Sequence, residues 1–254
     1  MKLTILGSGS SVPDGRRAGA GFWVQTQHVR MIMDCGPGVL PNLARHVKTW
    51  TALTHVLLSH LHVDHVIELP ALLFALRHAL RDGPGREAPL TIVGPEGTTR
   101  LVHGFEDLLQ TNLTDPGFEV RVQDVVPTSV LDLAPGETVS FEKAPHTNES
   151  LAMRVDARGS SLGYTGDSGP SPHLPDFFRG CDVLLCDCSL PRPRQGVEHM
   201  STAEAARTAC EAGVSHLVAT HLFPEQDETQ VQKILRDGFA GTVTLAREGL
   251  TIDL

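Results

Sequence analysis

Residues 57–69 read LLSHLHVDHVIEL, with three histidines and an aspartate inside six positions, His60 to His65, and apolar runs on both sides. Ionisable groups packed against an apolar core are costly unless a compensating charge meets them. The H-x-H-x-D-H spacing is too tight for one helical face, so a strand-to-helix loop must present these side chains. His60 and His62 are then able to converge on one cation, while Asp64 and His65 point to a second. Neutral imidazole with carboxylate suits a borderline cation such as Zn²⁺.

Three more polar residues stand where apolar strands end: His146 after TVSFEKAP, Asp167 in GYTGDSG and His221 in HLVATHLFP. Each strand delivers its polar residue to the start of a loop, as a site shared along one sheet edge requires. Asp167 offers two oxygens and is able to bridge two cations.

The rest of the chain supports a globular α/β protein. Its 254 residues are 41% hydrophobic and 20% charged, and the formal net charge is -9. No block of like charges supplies the clustered Lys and Arg of a broad nucleic-acid surface. Five cysteines, Cys35, Cys181, Cys186, Cys188 and Cys210, fit no disulfide framework and point to a reducing cytoplasm. Cys186 and Cys188 read as strand residues rather than thiolate ligands. The opening MKLTILGSGS lacks a signal-peptide pattern, and no apolar run has the length of a membrane span.

Period and composition predict strands over 2–6, 21–26, 29–35, 55–59 and 90–94, then over 118–125, 138–146, 151–157 and 161–167. Further strands are expected over 182–189, 216–222, 242–246 and 249–253. Helices are expected over 66–80, 96–109, 202–212 and 228–238. In the first of these Ile67, Leu72, Leu76 and Leu80 share a face. A strand-rich half followed by helices occurs twice. Two stacked halves predict a four-layer αββα sandwich, read as a single domain over 1–254, with functional loops along one sheet edge. Loops 8–20 and 81–89 would shape the pocket.

SHLHVDH, His146, GYTGDS and ATHLFP, in this order, resemble the metallo-β-lactamase superfamily over essentially the whole chain. LGSGSSVPDGRRAG, IMDCGPG and HMSTAEAARTACEAGVSHLVATHLFP look like its ribonuclease Z-type branch. The resemblance implies that His60, His62 and His146 hold one zinc ion. Asp64, His65 and His221 would hold a second, with Asp167 between them and Mn²⁺ as a substitute metal. Asp34 would orient a ligand histidine, although on sequence alone it reads equally as a turn residue before Gly36.

Two divalent cations outweigh the charge of Asp64, Asp167 and one hydroxide, so such a site suits an anionic substrate. Hydroxide attack on a phosphodiester follows, with Asp64 counted among the catalytic residues and the metals clamping the phosphate oxygens. By the same resemblance His199 would protonate the leaving oxygen. Asp187 stands where that branch carries a glutamate; it is one methylene shorter, which puts its contact with His199 in question. Enzymes of the branch that process tRNA insert a long arm between the third histidine motif and the bridging aspartate. Here the interval from His146 to Asp167 holds only two strands and a turn. The expected partner is therefore a small anionic phosphodiester, with tRNA disfavoured, no membrane, and a homodimer admitted. The rival readings are a tRNA 3′-endonuclease, a carbonyl hydrolase of β-lactams, lactones or thioesters, and a non-catalytic metal-binding protein.

Overall fold

The computed structural model describes residues 1–80 and 88–254. Most of the 81–89 loop expected to shape the pocket, residues 81–87, lies outside the described residues.

Two seven-stranded sheets carry the fold. The first holds β1 (Lys2–Gly7), β2 (Gly21–Gln25), β3 (Arg30–Met33), β4 (His55–Leu57), β5 (Leu90–Pro95) and β6 (Val120–Val125). The chain's last strand, β14 (Thr251–Asp253), returns to this sheet beside β1. The second sheet runs from β7 (Val130–Ala134) through β8 (Glu137–Lys143), β9 (Leu151–Ala157), β10 (Ser160–Tyr164), β11 (Val183–Asp187) and β12 (His216–Thr220) to β13 (Thr242–Leu245). Each sheet is antiparallel over its first four strands and parallel over the rest. The repeated sheet-and-helix order read in the sequence is this repeat of topology.

Period-2 alternation sorts the strand side chains into layers. Met31, Met33, Phe22 and Val24 of the first sheet meet Val139, Phe141, Met153 and Leu185 of the second in the inner core. Ile32, Val56 and Ile92 point the other way, against α1 (Val39–His46), α3 (Leu69–Leu80) and α4 (Thr98–Leu109). Leu184, Cys186 and Leu217 likewise face α5 (Leu174–Phe177), α6 (Thr202–Ala212) and α7 (Glu228–Gly238). The result is the αββα sandwich. Cys186 and Cys188 are packed in that outer core, as strand-borne residues should be.

The expected helix over 66–80 is broken. A single turn, α2 (Val63–Val66), precedes α3, which starts at Leu69 with Pro70 in its first turn, where a missing N–H costs nothing. Between them Glu68 turns aside, and its carboxylate accepts the Gly38 and Leu40 N–H groups (2.7 Å each) at the start of α1. Ile67, expected on the buried face, is 40% exposed, while Leu72 and Leu76 are fully buried. Helix α4 begins at Thr98 rather than Glu96. Gly97 is left-handed (φ 99°), and Asp124 from β6 accepts the N–H groups of Gly97 and Thr99. Strand β7 and helix α1 are additions that the sequence pattern did not predict.

Among the described residues no helix is long and apolar enough to cross a membrane. The segment from β13 to β14 passes from one sheet to the other and ties the first loop down. Glu248 accepts the N–H groups of Ser8 (3.1 Å) and Ala18 (3.0 Å) and lies 3.2 Å from the Ser8 hydroxyl. The Ser8 carbonyl in turn accepts the Leu222 N–H at 3.2 Å, next to His221. Replacing Glu248 leaves two amides without their acceptor. Glu248→Ala is expected to cost about 1–3 kcal/mol. That is a fall in Tm of roughly 2–4 °C per kcal/mol, read by calorimetry on the metal-free protein; an unchanged melting curve would refute this role.

Candidate metal centre

Every residue singled out by its position at a strand end arrives at the same edge of the sandwich. Asp34 follows β3, His60 follows β4, and α2 carries Asp64 and His65. His146 follows β8, Asp167 follows β10, and His221 follows β12. The loops fit together without room to spare. A Cβ on Gly36 would lie 2.0 Å from the Asp64 carbonyl oxygen, so only glycine lets these two turns touch.

Three overlapping groups of ligand-type atoms result. His60, His62 and His146 form the first, Asp64, His65, Asp167 and His221 the second, and Asp167, Asp187, His199 and His221 a third, each with its atoms within 4.8 Å of one another. The rings of the first group surround a common point, with centroids 4.6 to 4.9 Å apart. In the second, His65 Nε2 lies 3.2 Å from Asp167 Oδ1 and 3.6 Å from Asp64 Oδ2. His221 Nε2 is 3.3 Å from Asp167 Oδ2. That same oxygen is 3.8 Å from the Nε2 atoms of His60 and His146, so Asp167 stands between the groups.

The donor set passes a direct test for a missing cation. His60 Nε2, His65 Nε2 and Asp167 Oδ1 are buried and have no hydrogen-bond partner. Orphaned polar atoms are rare inside proteins, and here they all face the space between the imidazoles and carboxylates. A divalent cation is the group that would satisfy them.

The local electrostatics follow from burial and these contacts. Burial, with repulsion from His65, holds the His60 imidazole well below the ordinary histidine range. Burial acts the same way on His146. At His65 burial opposes the charge, but Asp167 and Asp34 outweigh it and raise the imidazole well above its usual value. Burial would raise Asp167 and Asp64; the neighbouring His221 and His65 prevail and lower both carboxyls.

Asp34 settles between the two roles its sequence position allows. It is fully buried, at φ 58°, and its carboxylate is surrounded by donors. It accepts the Ser59 N–H and hydroxyl (2.7 Å each), His65 Nδ1 (2.8 Å) and the hydroxyl of Tyr164, the chain's only tyrosine (2.7 Å). A left-handed non-glycine residue is strained and persists only where its surroundings over-determine it. His221, at φ 59°, shares the feature.

Asp187 closes the site on the second sheet. Although one methylene shorter than glutamate, it reaches His199 Nδ1 at 2.7 Å. Burial works against charge on His199, but the bond and charge of Asp187 raise it above the ordinary value. The His199 ring stacks on His221 (5.4 Å, 13°) and lies 4.7 Å from His146. Three participants escaped the sequence reading: Ser59, Tyr164 and Ser189. Ser59 and Ser189 stand one and two positions from His60 and Asp187, the only signal that would have marked them.

A family model described as the beta-lactamase superfamily domain matches residues 29–222. A Mycobacterium bovis protein named ribonuclease Z is 30% identical over 98% of this chain and 96% of its own length. The metallo-β-lactamase fold protein YhfI of Bacillus subtilis superposes with a TM-score of 0.86 at 26% identity, over 99% of this chain and 98% of that one. The short form of human tRNase Z gives 0.82 at 22% identity, over 100% and 99%.

Removing a buried charge partner is far costlier than removing one of several donors. Asp34→Ala is therefore expected to destabilise the metal-free protein by about 3–5 kcal/mol, and Tyr164→Phe by about 1 kcal/mol. Urea unfolding measures both; equal losses would show that Asp34 is not the hub.

Proposed function

The chain belongs to the metallo-β-lactamase superfamily, and on that premise we propose that it is a metal-dependent hydrolase of phosphodiesters of modest size. His60, His62 and His146 would hold one cation and Asp64, His65 and His221 the other, with Asp167 between; the imidazole-rich set favours zinc. Bound there, the pair supplies Lewis-acid charge to the phosphate oxygens and acidifies a water for nucleophilic attack. Asp64, with 16% of its side chain exposed beside His65 and His221, would orient that water.

The observation that carries the reading is the Asp187–His199 pair. An alkoxide leaving from phosphorus needs a proton. His199 donates a hydrogen bond from Nδ1–H to the Asp187 carboxylate, which leaves the proton on Nε2 to pass to the leaving oxygen. The bond and charge of Asp187 raise the imidazole above its ordinary value and so favour the charged form that donates. A cleft of about 660 Å³ opens beside His62, lined by Leu61, Glu96, Arg100, His103 and Glu149 among others. Its size suits one compact ester arm.

A second reading, tRNA processing, is supported by the name of the Mycobacterium bovis relative. Against it, β9 and β10 fill the interval between His146 and Asp167 as a tight hairpin turning at Arg158–Gly159, where the tRNA-gripping arm would be inserted.

Elemental analysis is expected to find about two transition-metal ions per chain, and chelation to abolish hydrolysis. Bis-p-nitrophenyl phosphate should be turned over in preference to pre-tRNA, nitrocefin or a lactone. A higher kcat/KM on pre-tRNA, or turnover of carbonyl substrates alone, overturns the reading. His199→Ala should reduce kcat by roughly 10²–10⁴ for alkyl leaving groups and much less for p-nitrophenolate, with the metal content unchanged. A loss of the same size for good and poor leaving groups would make His199 structural.

A further inference from the structure

Each sheet of the sandwich carries one buried aspartate that holds two imidazoles, one directly and one through a serine. Asp34 takes His65 directly. It also takes both the N–H and the hydroxyl of Ser59, whose Oγ lies 3.1 Å from His60 Nδ1. Asp187 takes His199 directly and likewise both the N–H (2.9 Å) and the hydroxyl of Ser189, whose Oγ lies 2.8 Å from His221 Nδ1. Both aspartates are fully buried, and the serines are 1% exposed.

A serine hydroxyl has one proton to give and lone pairs to receive. With that proton held by a carboxylate, Oγ is left only as an acceptor, and the imidazole facing it must carry its proton on Nδ1. The lone pair then lies on Nε2, the atom that His60 and His221 turn toward Asp167. Were the serine to donate to Nδ1 instead, Nε2 would bear the proton and bind nothing. From this geometry we infer that Ser59 and Ser189 are positioning residues that relay the Asp34 and Asp187 carboxylates to His60 and His221, fixing the ring tautomer that leaves Nε2 free for a cation. The relay rests on the ligand sets proposed above. It also makes Asp187 the common anchor of one ligand of the second cation and of the proton donor His199, so both rings are referenced to one carboxylate.

The test is zinc binding to the full chain by competition with a chromophoric chelator, in wild type, Ser59→Ala, Ser189→Ala and the double variant. Ser161→Ala serves as control, since it removes a hydroxyl bonded to Asp182 (3.0 Å) on the flank of the same sheet. Each relay variant is expected to weaken one zinc ion roughly 10–100-fold, the usual effect of losing a partner behind a ligand histidine. The other ion should keep its affinity, the double variant should weaken both, and Ser161→Ala neither. Ser189→Thr, which keeps a hydroxyl, should restore the affinity that Ser189→Ala loses. Independently of metal, ¹⁵N spectra of the histidine side chains in the apo protein should show His60 and His221 protonated on Nδ1, a preference lost in the matching alanine variant. Unchanged zinc affinities, an equal shift in Ser161→Ala, or tautomers indifferent to the serines would overturn the relay. Wild type that binds no zinc while its tautomers still follow the serines would remove the ligand assignment and leave the relay standing.

Discussion

The buried carboxylate of Asp34 is the contact on which the rest of this edge depends. Four hydrogen bonds from three residues converge on it, and a charge so deep is tolerable only because each is made. The donors come from distant parts of the chain: Ser59 and His65 flank the loop after β4, and Tyr164 reaches across from the second sheet. The bond from Tyr164 therefore locks the two sheets together where the ligand-type residues emerge. The left-handed backbone of Asp34 is what turns its side chain back into this cage.

The architecture explains why such a cage is available. Parallel strands deliver their carboxyl ends to one side, and a chain leaving a buried strand there must turn within a few residues. Both sheets place parallel strands side by side, so loops from β3, β4, β10, β11 and β12 meet along one line. The return of β14 to the first sheet draws Glu248 over the opening loop, which is bonded to the turn holding His221. The site is held from behind by backbone as well as by side chains.

Much of this was legible in the chain itself, and what was not has physical reasons. Dense polar residues at the ends of apolar runs are visible without coordinates, and His60, His62, Asp64, His65, His146, Asp167 and His221 do arrive together. The sandwich followed from repeated strand and helix periods. The break at Glu68 did not, because apolar spacing continues through it while a carboxylate is spent on the start of another helix. Strand β7 escaped because it is short and only half-buried: Leu131 and Leu133 pack against the inner core, but none of its residues is fully buried. Ser59 and Ser189 were hidden for a different reason. A serine's role depends on which acceptor lies within about 3 Å, and those acceptors belong to residues brought near by the fold. The doubt over the shorter Asp187 had the same origin: side-chain length says nothing of how close the strand end stands to His199.

Exposure singles out His62: His60 of the same group is fully buried, while in the deeper group Asp64 alone keeps part of its side chain exposed. His65, Asp167 and His221 are nearly closed off, whereas His62 is exposed and borders the cleft. In the proposed reaction a substrate entering from the cleft therefore meets His62 first. His199 lies at the junction, beside His146 of the one and stacked on His221 of the other. In the proposed reaction His199 would pass its proton to a leaving oxygen held beside these residues. Because Asp187 also anchors His221 through Ser189, a displacement of the deeper group would carry the proton donor with it. The distance between them is then a property of one rigid carboxylate rather than of two independent loops.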